Sequence, residues 1–313
     1  MVQNFWICIN AVIPLMIYLL IGMLVKRAGL INDDEVSRFN HLFFIVLFPP
    51  MMFENLYGAK PGTAFNPGLT IFAIVFLFAF IAASVPIVHR IEKRPETRGA
   101  MIQAMYRSNF VLMGLPIALN ICGRGNVSTT AVLVAVIVPI YNIIAVIILE
   151  YYRGGHADIS KMFSKIIMNP IILGALAAAV AIVLDIRVPK SVDNVIYTMS
   201  ECTTPMAMIM LGASFNIKSI NTDRRNLSIV TITKLLIQPA IGLSLAVLFG
   251  FRGVEFVSLI VMMSAPCAVS SFTMAKSMGS DGDLAGNAVI FTTGFSILTI
   301  FGWLFLFKNM GIF

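Results

Sequence analysis

The stretch 99-GAMIQAMYRSNFVLMGLPIALNICG-123 decides the fold. It is apolar and long enough to cross a bilayer, which takes about 20 helical residues. Yet Arg107, Ser108 and Asn109 sit inside it, followed by Gly114-Leu115-Pro116. Proline removes one backbone donor and obstructs the carbonyl one turn earlier. In hydrocarbon, backbone groups freed in this way are tolerated only beside protein, a cavity or a ligand. The stretch 254-VEFVSLIVMMSAPCAVSSFTMAKSMG-279 repeats the theme, with Ser264, Pro266, Ser270, Ser271 and Thr273 at similar depth. Two interrupted apolar segments in corresponding places point to the binding site of a secondary transporter.

The correspondence extends outward along the whole chain. At a constant offset of 156 residues, Pro14 falls on Pro170, Pro49 on Pro205, Met52 on Met208 and Gly123 on Gly279. A period of this size is a duplicated half-protein rather than a solenoid repeat. Pro116 falls on Phe272, not on Pro266, which predicts that the two breaks are placed differently in the two halves.

Composition sets the class. Of 313 residues, 58% are hydrophobic and 12% charged, with mean hydropathy +0.91. A soluble domain carries about a quarter charged residues, so the chain reads as an all-α polytopic membrane protein. Ten apolar windows are expected as transmembrane helices: 5–25, 39–57, 69–88, 99–122 and 128–152, then 166–184, 196–215, 228–250, 254–278 and 287–307. The loops after the odd-numbered windows hold 14 basic residues against 6 on the opposite side, so both termini are expected outside the cytoplasm. An odd number of spans per half inverts the second half, 157–313, relative to the first, 1–156. The net charge of +7 sits mostly in short loops, where it sets topology, so no nucleic-acid partner is expected.

Several classes drop out. Cys8, Cys122, Cys202 and Cys267 are widely separated and have no metal-ligand spacing. His41, His89 and His156 lie at span ends or in loops, and no phosphate-cradling motif occurs. Neither an enzyme nor an ATP-driven pump is expected, and no resident cofactor. The apolar run at the N-terminus lacks a basic leader and a cleavage site, and reads as a retained span. Methionines such as Met206, Met208, Met210, Met262 and Met263 read as adaptable packing.

SNFVLMGLPIALNICG, VPIYNIIAVIIL and SAPCAVSSFTMAKSMGSDGDLAGNAVIFTT together resemble the auxin efflux carrier family. They look like its Asn-x-x-x-x-Gly-x-Pro crossover, its Pro-x-Tyr-Asn segment and its second crossover. The resemblance covers the whole chain, with the short central loop of prokaryotic malate/malonate permease-like members. It implies ten helices, with broken crossover helices 4 and 9, and a fold similar to the bile acid:sodium symporters. A scaffold of helices 1, 2, 6 and 7 would hold a transport domain of helices 3–5 and 8–10. It further implies elevator-like carriage of a small organic anion, dicarboxylate- or auxin-like.

Candidate binding residues follow from both sources. The amide of Asn109 can donate to a carboxylate and accept from a hydroxyl; interhelical glue is the competing role. Ser108, Ser270 and Ser271 offer hydroxyls, and half-helix N-termini near them would attract an anion. Gly114, Pro116 and Pro266 shape the crossing. Tyr141 and Asn142 either line the site or brace it, whereas Asn287 and Thr292 read as bracing. Arg107 and Lys234 are intramembrane cations suited to an anionic substrate, unless they snorkel to the interface. Glu201 is the weaker candidate for a coupling proton, with simple exposure to water near the outer surface favoured. Asp281 and Asp283 read as caps of span 10 or as solvated. The coupling ion is left open between H+ and Na+, with protons favoured. The expected partners are the bilayer and the anion, with a homodimer as an open option. A passive anion channel, a sodium-coupled symporter and a membrane-bound sensor are the competing readings, the sensor disfavoured for want of a soluble signalling domain.

Overall fold

The computed structural model describes residues 2–57, 66–123, 127–153, 167–215 and 223–313, and every regular element among them is helical. The first half contains α1 (Val2–Arg27), α2 (Asp33–Val46), α3 (Phe48–Tyr57), α4 (Pro67–Ile91), α5 (Pro95–Tyr106), α6 (Leu115–Cys122) and α7 (Val127–Arg153). The second contains α8 (Pro170–Val183), α9 (Lys190–Ser214), α10 (Arg224–Ile232), α11 (Gln238–Leu248), α12 (Gly253–Ser264), α13 (Ser270–Ser277) and α14 (Gly282–Asn309). Lys60, Arg124, His156, Lys161, Lys165 and Lys218 lie outside the described residues, as does the side chain of Pro116.

Among the described residues, five stretches are long and apolar enough to cross a membrane: Asp33–Glu54, Pro67–Ile91, Thr129–Arg153, Arg224–Leu248 and Gly282–Asn309. Pro170–Val183 and Gly253–Ser264 are shorter apolar helices. Large apolar side chains such as Leu24, Ile71, Val75, Val183, Leu248 and Leu298 are exposed. An aqueous surface would not carry so many, whereas a lipid-facing one does. The chain is a multi-pass membrane protein.

Local chemistry explains where the helices start and stop. Asn32 and Glu35 form a reciprocal capping box at α2, and Asn66, Asn169 and Asp281 cap α4, α8 and α14. Pro67, Pro95 and Pro170 open helices at positions where the missing N–H costs nothing. At the membrane edge, the Glu92 carboxylate accepts from the Asn226 amide at 2.5 Å and from the Lys93 and Arg94 backbone N–H groups at 2.8 and 2.9 Å. Arg94 pairs with both Glu92 and Asp223, tying the end of α4 to the start of α10. Burial would raise the Glu92 pKa, but these donors, Arg94 foremost, lower it to about 2.

Packing is closest where small residues allow it. Any side chain on Gly22 would collide with the Ile209 carbonyl, and one on Gly212 with the Leu19 carbonyl, so α1 and α9 meet backbone to backbone. Gly174 does the same for α8 against Pro49 of α3. A second apolar cluster joins Phe44, Phe48 and Met52 to Leu149, Ile171, Met274 and Met278. Beside it, Asn40 of α2 donates to the Thr273 carbonyl and to Ser277 Oγ of α13, at 3.3 and 3.2 Å.

The two interrupted segments are built alike. Helices α5 and α12 are both 12 residues long, and α6 and α13 are both 8. Gly123 and Gly279 stop the second members at φ +78° and +71°, a conformation that suits glycine. Helix α5 ends at Tyr106 and α12 at Ser264, 158 residues later, so the breaks occupy nearly equivalent places. This corrects the expectation that they diverge, and it corrects the position of the first break. The chain unwinds at 107–109 rather than at Gly114-Leu115-Pro116, and resumes through Pro116 after a π-helical turn, Phe110–Gly114. A second π turn, Thr233–Ile237, precedes Pro239 with the same spacing. Pro116 and Pro239 each lack a backbone N–H donor, and the helix continues past both after the wide turn. The Leu235 carbonyl, four residues before Pro239, accepts instead from the Trp303 indole of α14 at 3.0 Å.

Candidate functional site

The two breaks touch. The backbone N–H of Asn109 donates to the Pro266 carbonyl at 2.7 Å, joining residues far apart in sequence through their unwound main chains. Arg107 and Ala265 both have extended backbone there, with ψ 132° and 146°, which turns polar groups out of the helical ladder. Bracing follows from neighbours. The Cys267 N–H donates to Thr292 Oγ1 at 3.0 Å, and that hydroxyl donates to the Ala288 carbonyl at 2.7 Å. Thr292 is thus the brace expected of it.

Two glutamines, not anticipated from sequence, link the breaks to the cations. Gln103 donates to the Ser271 carbonyl at 3.0 Å and accepts from Arg107 at 3.3 Å. Gln238 donates to the Tyr106 carbonyl at 3.3 Å and accepts from Lys234 Nζ at 2.7 Å. In both cases a glutamine stands four residues from a cation along the chain. That spacing within an apolar run was the available signal.

Arg107 and Lys234 are 1% and 0% exposed, so neither snorkels. Arg107 donates to Asn142 Oδ1 and Ser270 Oγ, both at 2.6 Å, and to Met274 Sδ at 3.0 Å, while its Nε has no partner. Lys234 Nζ donates to Ser108 Oγ at 2.5 Å and to the Met263 carbonyl at 3.3 Å. The ion pairs among the described residues are Lys26–Asp33, Arg94–Glu92, Arg94–Asp223 and Arg153–Glu150, and none involves either buried cation. Compensation comes from dipoles: Arg107 follows the end of α5, and Lys234 reaches the last turn of α12. A helix C-terminus supplies roughly half a negative charge, so the crossing is left with an excess of positive charge. The side-chain amide nitrogen of Asn109, 6% exposed, has no acceptor. A buried donor left in this way costs about 1–3 kcal/mol.

The candidates therefore divide. Arg107, Ser108, Asn109, Asn142, Lys234, Pro266 and Ser270 form one connected group around the crossing. Ser271 joins it through its carbonyl, and the buried Tyr141 ring packs on Tyr106 at 5.8 Å between centroids. At Gly114 a Cβ would press on Phe110 at 2.6 Å, so the position is closely packed. Pro116 belongs to α6 beyond the π turn. Glu201 is exposed on α9, with Glu54 as a charged neighbour. Asp281 caps α14, as expected of it, by accepting from the Leu284 N–H at 2.9 Å.

Comparison with known proteins agrees with this architecture. A family model described as membrane transport protein matches twice, over residues 7–164 and 156–304. An uncharacterized transporter of Methanocaldococcus jannaschii is 22% identical over 311 residues, covering 95% of this chain and 98% of that protein. An uncharacterized transporter of Methanothermobacter thermautotrophicus is 21% identical over 303 residues, covering 94% and 96%. A putative malonate transporter of Rhizobium meliloti is 20% identical over 146 residues, 46% of each chain. With both halves matched, the chain belongs to the membrane transport protein family, that of auxin efflux carriers and malonate permease-like proteins, and is a transporter rather than an enzyme.

Proposed function

We propose that this protein is a secondary carrier of small organic anions, dicarboxylate- or auxin-like, which bind where the two broken helices cross. The observation that carries the reading is the pair of buried cations without a carboxylate partner, beside the unpartnered amide of Asn109. A buried charge without a counter-ion costs several kcal/mol, so the arrangement fits a site whose counter-ion arrives as substrate. In this reading Arg107 and Lys234 attract a carboxylate, Asn109 donates to it, and Ser108, Asn142 and Ser270 hold the cations in place.

The transport motion rests on the same geometry. Ten spans in two inverted halves, 1–156 and 157–313, would place both termini outside the cytoplasm. The close pairing of α1 with α9 and of α3 with α8 supports a fixed scaffold. The remaining helices would carry the crossing across the membrane as an elevator. A homodimer through the scaffold and a location in the plasma or bacterial inner membrane complete the proposal.

Counterflow in proteoliposomes tests it, with malonate as the first probe. Internal malonate should accelerate uptake of labelled malonate, and uptake should saturate. Linear, unsaturable flux without trans-acceleration would instead identify a pore.

A further inference from the structure

Lys234 differs from Arg107 in one chemical respect: a lysine amine can give up its proton, while an arginine guanidinium in a protein cannot. We propose that Lys234 carries the coupling proton, taking it up from water on one side with the anion and releasing it to water on the other. The inference rests on the carrier reading above and names its driving ion.

The hydrogen-bond partners of Lys234 suit both of its protonation states. As an ammonium it has three N–H donors, and it meets three acceptors, Ser108 Oγ, Gln238 Oε1 and the Met263 carbonyl. As an amine it has two N–H donors and one lone pair. The Met263 carbonyl can only accept, and Gln238 is fixed with its oxygen toward Lys234 because its nitrogen donates to the Tyr106 carbonyl. Ser108 is the partner that can turn its hydroxyl round and donate to the lone pair. Proton loss therefore leaves no buried donor or acceptor at Lys234 without a partner. A site built only to hold a permanent cation has no need of a reversible member.

The surroundings couple that proton to the anion. From the first break come Tyr106 and the fixed charge of Arg107, and from α7 comes Tyr141, whose ring packs on that of Tyr106. From the second break, Cys267 lies within electrostatic reach of both cations. The side chain of α14 on this turn is the uncharged indole of Trp303. The remaining charges of the packed helices sit at their ends: Glu96 and Arg98 of α5, Arg224 and Arg225 of α10, Glu255 of α12, Asp283 and Lys308 of α14. An anion entering beside Arg107 and Asn109 is therefore the nearest full negative charge that Lys234 meets, and it favours the ammonium. By linkage, the proton favours the anion to the same extent. Because Lys234 bonds to Ser108 in one break and to Met263 at the edge of the other, the proton also reports to both halves of the crossing.

Lys234→Arg keeps the charge but cannot release it. In proteoliposomes held above the pH range where malonate itself protonates, wild-type malonate uptake should carry protons, read by a trapped pH dye. Residual uptake by Lys234→Arg should carry none, and uptake by this variant that moves protons as the wild type does would overturn the proposal. Wild-type counterflow without proton movement would sink the proposal alone, whereas absence of counterflow strikes the carrier reading. A second measurement needs no transport: NMR of protein labelled with 15N at lysine Nζ. The resonance missing from Lys234→Arg should convert between ammonium and amine within the pH range where the protein stays folded. An ammonium signal that persists throughout that range would refute the assignment.

Discussion

At the scale of single residues, the crossing stores a deficit rather than a set of satisfied bonds. Asn109 keeps its backbone N–H for Pro266 and leaves its side-chain nitrogen without an acceptor. Asn109→Ala should therefore leave the empty protein folded with an unchanged or higher melting temperature. It should weaken malonate binding roughly tenfold or more, the worth of one hydrogen bond to a charged group; equal affinity in a stable variant would remove Asn109 from the site. Gln103 offers the complementary test, since its oxygen already faces Arg107 at 3.3 Å. Gln103→Glu supplies an internal carboxylate to a cation that lacks one. If that lack is what draws the substrate, isothermal titration should show malonate affinity falling by roughly tenfold or more. Unaltered affinity would mean that Arg107 has no part in binding. Arg107 and Lys234 were legible in the sequence as charges within apolar runs. Their inward direction was not, because it depends on Asn142, Ser270, Ser108 and Met263, contributed from distant segments.

At the scale of elements, proline proved a poor guide to where a helix opens. Pro266 does lie in a break, but Pro116 and Pro239 each follow a π turn within a continuing helix. The first break instead falls at 107–109, where the main chain finds a partner in Pro266. No local pattern encodes a partner contributed by the other half of the chain, and that is why the sequence misplaced it. The π turn at Thr233–Ile237 has a consequence of its own, since it inserts one residue into the helical register. Pro239→Ala should let α10 and α11 merge into a regular helix, turning Lys234 by about 100° away from Ser108. Circular dichroism should show helix content kept while malonate binding is lost; retained binding would show that the turn does not aim Lys234. The loop junction at Glu92 makes a separate prediction. A carboxyl lowered from 4.5 to about 2 on folding stabilises the protein fully above 4.5, and that contribution fades as pH falls toward 2. The melting temperature of the wild type should fall more steeply across this window than that of Glu92→Gln. Parallel curves would mean that the Arg94 and Asn226 bonds contribute nothing to stability.

At the scale of the whole molecule, the likeness of the two halves was readable because it is a statistical property of many positions; the family model matches both, and Gly123 and Gly279 each stop a helix at positive φ. The prolines paired at the same offset do not share local structure: Pro14 lies inside α1, whereas Pro170 opens α8. Composition also made the membrane class plain, since burial in lipid acts on every residue of a span. What sequence pattern left unwritten is the contact between the proposed scaffold and the proposed moving part, which depends on a few side chains at one interface. Asn40 of α2 bonded to Thr273 and Ser277 of α13 is such a contact. If the crossing travels past a fixed scaffold, this bond belongs to one end state and must break in every cycle. Its surroundings suit sliding: the adjacent cluster contains Met52, Met274 and Met278, whose unbranched side chains repack at low cost. In a background without native cysteines, Asn40→Cys with Ser277→Cys should therefore crosslink with a short bifunctional thiol reagent. The crosslinked protein should still bind malonate but cease counterflow, and a reagent cleaved by reductant should restore it. Continued counterflow through a fully crosslinked pair would show that α2 and α13 move together, and the elevator division between them would have to be redrawn.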